Sequence, residues 1–243
     1  MKRVVIIGLA ALIVVGGAGF WYLFLRNDAP EALSLQGAVA DLTSTTASGS
    51  GGTTAGEASS PDAPSTGDLD GTWTIDAAGT VVGYRMVEEL ASIGVNEAVG
   101  RTSDVTGTLT LTGALVDEVS IEVDVTTLES DSRQRDNAMR SRGLESGAFP
   151  IASFALSDPI DLGSVPARDE ELAVIAVGDL TLHGVTHTVE IPVSATLVDA
   201  AIVVVGSVEV ALADYGIDKP TGFSVVGIED RGLLELQLAF RRS

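Results

Sequence analysis

From residue 71 to the C-terminus the chain alternates between apolar and polar positions. In residues 119–125, Val119, Ile121, Val123 and Val125 fall on one face and Ser120, Glu122 and Asp124 on the other. Residues 189–197 set Val189, Ile191, Val193, Ala195 and Leu197 against Glu190, Ser194 and Thr196. Residues 234–240 set Leu234, Leu236, Leu238 and Phe240 against Glu235, Gln237 and Ala239. A period of two with a single apolar face marks half-buried antiparallel strands; strands of a buried parallel sheet would be apolar on both faces. Turn-forming stretches punctuate the runs: DAAGT at 76–80, TGAL at 112–115, HGVTH at 183–187 and VDAA at 198–201. The spacing predicts strands near 72–76, 80–88, 97–102, 105–112, 116–126, 151–157, 172–183, 187–198, 202–212 and 231–241. Some of these merge, leaving about eight. Long strands with short turns fit an all-β barrel or sandwich. An eight-stranded barrel either fills its interior with side chains or holds one small ligand, and alternation does not separate the two.

One segment breaks the strand pattern. Residues 130–143 read as a short helix that Ser130, Asp131 or Ser132 caps and Gly143 ends. Helical spacing puts Arg133, Asp136, Asn137 and Arg140 on one face, with Arg135, Met139 and Arg142 along a neighbouring stripe.

The N-terminal part has a different composition. Residues 4–25 carry no charge over 22 positions, after Lys2 and Arg3 and before Arg26. That length spans a hydrocarbon core of about 30 Å. The flanking charges put the bulk of the chain outside the cytoplasm, so residues 1–26 are expected to be a single-pass transmembrane anchor. A signal peptide cleaved near Gly17–Gly19 is the other reading, and it would make the protein secreted. From Thr43 to Gly67 every residue except Glu57 and Asp62 is Gly, Ser, Thr, Ala or Pro. Residues 27–67 are therefore expected to be a flexible linker, with an r.m.s. span of roughly 35 Å. Residues 68–243 remain as one domain.

Charge and residue types narrow the function. The chain carries a net charge of -20, which repels nucleic acid. It has no cysteine, so disulfides, thiol nucleophiles and a lipid-modified N-terminal cysteine are excluded. Its two histidines, His183 and His187, flank a predicted turn with no obvious third ligand, and no GxSxG elbow or phosphate-binding glycine loop is present. No metal, cofactor or catalytic constellation is expected.

Four stretches together resemble the YceI-like family of exported lipid- or polyisoprenoid-binding domains. They are GTWTID at the first strand, RQRDNAMRSRGLESGAFPIASF across the helix and the following strand, VGDLTLHGVTHTVEIPV at a hairpin, and DYGI at 214–217. The sequence departs from the family pattern where Tyr84 stands at an aromatic position, where Asn137-Ala138 replaces a frequent His, and where His187 replaces a frequent Lys. The resemblance implies an extended, lipocalin-like antiparallel β-barrel with a short helical insertion. It also implies an apolar tunnel for an isoprenoid or similar long-chain lipid, and binding rather than catalysis. Inward phases then nominate Trp73, Tyr84, Met86, Ile121, Val123, Met139, Phe149, Phe154, Leu180, Leu182 and Phe223 as lining. Arg133, Arg135, Asp136, Arg140, Arg142 and His183 are candidates for a polar head at the mouth. Two alternatives stay open: a filled barrel acting as a cell-surface interaction module, and a lipid-modifying enzyme. The second would need an acidic or His side chain on an inward phase, whereas Glu88, Glu97 and Asp124 read as outward.

Overall fold

The computed structural model describes residues 29–47, 69–92, 94–220 and 225–243. Thirteen strands form a single antiparallel sheet: β1 (Gly71–Ile75), β2 (Val81–Leu90), β3 (Gly94–Thr102), β4 (Val105–Thr112), β5 (Leu115–Asp124), β6 (Glu129–Ser130), β7 (Ile151–Leu156), β8 (Ile160–Asp161), β9 (Leu172–Leu182), β10 (Val185–Val198), β11 (Ala201–Ala211), β12 (Val225–Ile228) and β13 (Arg231–Arg242). Several are halves of one bent stave. β1 and β2 both run along β13, through Ile75 opposite Phe240 and Leu236 opposite Val82. The 3-10 turn Ala77–Gly79 inserts between them, with the Asp76 carboxylate accepting from the Ala78 amide. In the same way β3 continues into β4, β5 into β6, β7 into β8 and β12 into β13. The result is eight staves, each beside its neighbour in sequence, and the ring closes where β1 meets β13. This is an all-β, eight-stranded up-and-down barrel with a short helical insertion.

The turns explain the order. At the β9–β10 turn, His183 and Gly184 have φ of 50° and 74°, the doubly left-handed pair of a two-residue hairpin whose twist matches its strands. The β2–β3, β9–β10 and 212–224 connections share one end of the barrel with helix α2 (Arg133–Ala138). The β4–β5, β8–β9 and β10–β11 connections share the opposite end.

The linker expectation does not hold over its first half. Helix α1 (Leu35–Ala47) packs on the outer wall, burying Leu35, Ala38 and Leu42 against Val203, Val205 and Ala239. These three helix residues stand at i, i+3 and i+7, one stripe of a helix. Gly79 permits the approach, because a Cβ there would lie 2.6 Å from Leu42. Before the helix, the carbonyls of Pro30 and Glu31 accept from Arg85 (2.8 Å) and Arg101 (2.6 Å). Arg85 also bonds Glu97 (2.6 Å) and Glu235 (3.2 Å). The expected membrane span, residues 1–26, lies outside the described residues, and among those described no helix is long and apolar enough to cross a membrane.

Two measurements check this account. Leu42→Asp buries a charge beneath α1, so amide exchange across 35–47 should accelerate while the barrel strands keep their protection; unchanged exchange would show that the helix is not held by this stripe. The second concerns Asp76, whose carboxyl is held below its ordinary value of 3.8 by the hydrogen bond from Arg241. A depressed carboxylate stabilises the fold above its unfolded pKa and loses that contribution as pH falls through its folded value. Arg241→Gln should therefore lower the melting temperature at pH 7, and the gap to the wild type should shrink at pH values below about 4.

Candidate functional site

Alternation turns Tyr84 and Met86 of β2, Ile121 and Val123 of β5, Phe154 of β7, and Leu180 and Leu182 of β9 into the barrel. All of them line one cavity of about 260 Å³. Its lining is almost wholly Val, Leu, Ile, Ala, Met and aromatic, and it touches β9 from Leu172 to Leu182. Ten residue steps amount to ~33 Å of strand, so the cavity is long rather than round.

The exposure pattern shows that the barrel is hollow, which the sequence left open. Beneath α1 and beside Arg85, outward positions of β11 and β13 are almost fully buried: Val203 and Ala239 are 0% exposed, and Glu235 is 3%. The inward Val204, Leu234 and Leu236 are only half-buried, although they point to the barrel centre. Their remaining accessible surface is the cavity wall. An engineered apolar cavity of ~150 Å³ already takes up benzene, so this one has room for hydrocarbon.

Glycines make part of that room. The Tyr84 ring lies across Gly100, its cross-strand partner, where a Cβ would come within 2.4 Å of the ring. The Phe154 ring covers Gly178 equally closely. Burial pushes the Tyr84 phenol up to about 12, so at neutral pH it is an uncharged hydrogen-bonding group within an apolar lining.

The helical insertion closes one end. Ser132 caps α2 by accepting from the Arg135 amide (3.4 Å), and a π turn, Met139–Gly143, follows. Met139 and Leu144 reach the cavity. The arginines and Asp136 do not line the cavity. Arg135 pairs with Glu88 (2.5 Å) and with Asp131. Asp136 accepts from the amide (3.0 Å) and hydroxyl (2.6 Å) of Ser130. Arg140 donates to the carbonyls of Thr126 and Leu128, both at 3.1 Å. These three side chains fasten the insertion to β2 and to the residues around β6. Arg133 and Arg142 are on the outer surface.

Glu88 also corrects the sequence reading. It shares the inward phase of Tyr84 and Met86 and is buried, with Arg135 and Asn96 (3.0 Å) as partners. Its charge is satisfied by a structural ion pair at the α2 end. Two apolar nominations are corrected as well. Trp73 seals the opposite end: it is buried, its indole donates to the Leu69 carbonyl (3.0 Å), and it is absent from the cavity wall. Phe149 packs edge-on against the His183 ring (4.3 Å between centroids), outside the cavity, because rim residues are not bound by strand alternation. Phe223 lies outside the described residues.

His183 faces the Tyr215 carbonyl (3.1 Å) and Glu145 (3.0 Å), and the His187 Nε2 donates to the Asp214 carbonyl (2.9 Å). Both rings latch the β9–β10 turn to neighbouring loops, and His183 does not line the cavity. The lining that the nominations missed includes Leu234, Leu236, Leu238 and Phe240 of β13. Their alternation was the legible signal.

A model of the YceI-like domain matches residues 73–240. No curated protein matches the sequence. Among solved structures, a polyisoprenoid binding domain from Saccharophagus degradans, implicated in plant cell wall breakdown, is 17% identical. It aligns over 70% of this chain and 98% of its own, with a TM-score of 0.58. BcnA of Burkholderia cenocepacia is 15% identical over 68% of this chain and 98% of its own, with a TM-score of 0.52. At these identities the likeness is one of fold. The match to the family model spans most of the chain and includes every stave of the barrel, and on that basis the chain belongs to the YceI-like family.

Proposed function

We propose that the barrel binds the hydrocarbon part of an isoprenoid or a similar long-chain lipid, for storage, transfer or sequestration. The protein acts as a binder and performs no reaction on the lipid. The observation that carries this reading is the hollow, elongated, apolar interior, whose half-buried inward residues have surface left to cover. Each methylene taken from water into such a lining contributes about 0.8 kcal/mol. The similar fold of the Saccharophagus degradans polyisoprenoid binding domain supports the ligand class. The order of basic residues, uncharged run and acidic domain supports a location outside the cytoplasm, with residues 1–26 as the anchor.

Ala195 and Val204 face each other across β10 and β11, and both line the cavity. Ala195→Phe or Val204→Phe should weaken the binding of geranylgeraniol, read by displacement of N-phenyl-1-naphthylamine, by at least about tenfold, or ~1.4 kcal/mol. The circular dichroism spectrum should stay that of the wild type. Glu190→Phe, on the outer face, should leave binding unchanged. Equal affinity in all three variants would place the lipid elsewhere.

A further inference from the structure

We infer that the corner formed by β2, β3 and β12 is the surface that meets the lipid bilayer, and that residues 29–34 with α1 hold it there. This rests on the reading of residues 4–25 as a membrane span. A flexible linker of 27–67 would let the barrel roam over roughly 35 Å, but the first part of that stretch is docked. Pro30 and Glu31 are tied by their carbonyls to Arg85 and Arg101 on the outer faces of β2 and β3, and α1 continues along β11 and β13. Leu25, the last residue of the uncharged run, stands five residues before Pro30. Five residues reach at most about 18 Å when fully extended. The flank around Arg85 is therefore kept at the membrane interface, whatever residues 48–68 do.

The side chains around that point suit the position. Val95 of β3 is 78% exposed and Val226 of β12 is 57% exposed. Both flank the outer end of β2, where Val95 pairs with Glu89 and Val225 with Leu90. Val95 lies two residues, or ~7 Å along the strand, from Glu97, whose carboxylate bonds the Arg85 that holds Pro30. Exposed acidic residues stand at both ends, Glu89, Glu229 and Asp230 at this one and Asp169, Glu170 and Asp199 at the other, so the strap rather than charge selects the end that meets the bilayer. The corner is also at the end where Met139 and Leu144 close the cavity. A lipid leaving the bilayer would meet this end first, so the strap makes the protein a local acceptor at the membrane rather than a shuttle at the end of a long tether.

The absence of cysteine allows single-site labelling of the full chain. Val95→Cys and Ser164→Cys, the latter in the exposed 162–171 connection of the opposite end, would each carry a nitrobenzoxadiazole label. Both would be reconstituted into vesicles of phosphatidylcholine and phosphatidylglycerol containing doxyl-labelled phosphatidylcholine. Flotation with the vesicles tests the anchor itself. Given flotation, the label at 95 should be quenched several-fold more than the label at 164, and adding Leu42→Asp should lower quenching at 95 while flotation persists. Equal quenching at both sites, stronger quenching at 164, or no response to Leu42→Asp would overturn the docking inference with the anchor intact. Failure to float would overturn the anchor, and the inference with it.

Discussion

Closure of the sheet at β1 and β13, with Ile75 beside Phe240, is the constraint on which the rest depends. Ring closure removes the free edges that β1 and β13 would otherwise present, although the staves splay toward their ends, where Gly94–Val99 of β3 pair with β2 alone and β10 meets β11 only over Val193–Val198. The ring also fixes the interior volume before any side chain is chosen. In this chain the inward positions hold mostly Val, Leu, Ile and Ala, with aromatic rings folded down over Gly100 and Gly178. Those side chains do not fill the ring, and the shortfall is the cavity. The binding site is thus a property of the whole wall rather than of a cluster of special residues.

The outer wall carries the polar organisation that the inside lacks. Arg85 lies between Glu235, which is nearly fully buried, and Glu97. A buried ion pair tolerates burial only when its remaining donors are satisfied. Here the Pro30 carbonyl accepts from Arg85, and the Glu31 carbonyl accepts from Arg101, which also faces Glu235 (3.6 Å), so the N-terminal strap completes the barrel wall. At the α2 end a second set, Glu88, Arg135, Asp131, Asp136 and Ser130, fixes the lid in the same way. The arginine-rich stretch of an acidic chain is explained by this work of fastening: Arg135 and Arg140 hold the insertion across the barrel end, and Met139 and Leu144 then face the cavity.

The strands and their turns were legible because alternation is a local property, and among the nominated lining residues Ile121, Val123, Leu180 and Leu182 fall where their phase puts them. Hollowness was not legible, since it depends on the ring's radius against the summed side-chain volumes. Helix α1 was hidden by its composition: Ala38 and Leu42 make a narrow stripe among Gly, Ser and Thr, and its burial comes from Val203 and Ala239, far off in sequence. Glu88 misled because a charge on an inward phase reads as outward until its partner, 47 residues away, is known. Phe149 and Trp73 sit at the barrel ends, where strand phase no longer decides whether a side chain meets the cavity.

The central claim is that the hollow interior holds a lipid chain. Native mass spectrometry of the full-length protein, released from detergent in the gas phase and followed by organic extraction and lipid mass analysis, tests it most directly. The account predicts a stoichiometric adduct with the mass of an isoprenoid or acyl lipid. A bare protein mass that persists after incubation with isoprenoid alcohols would contradict it.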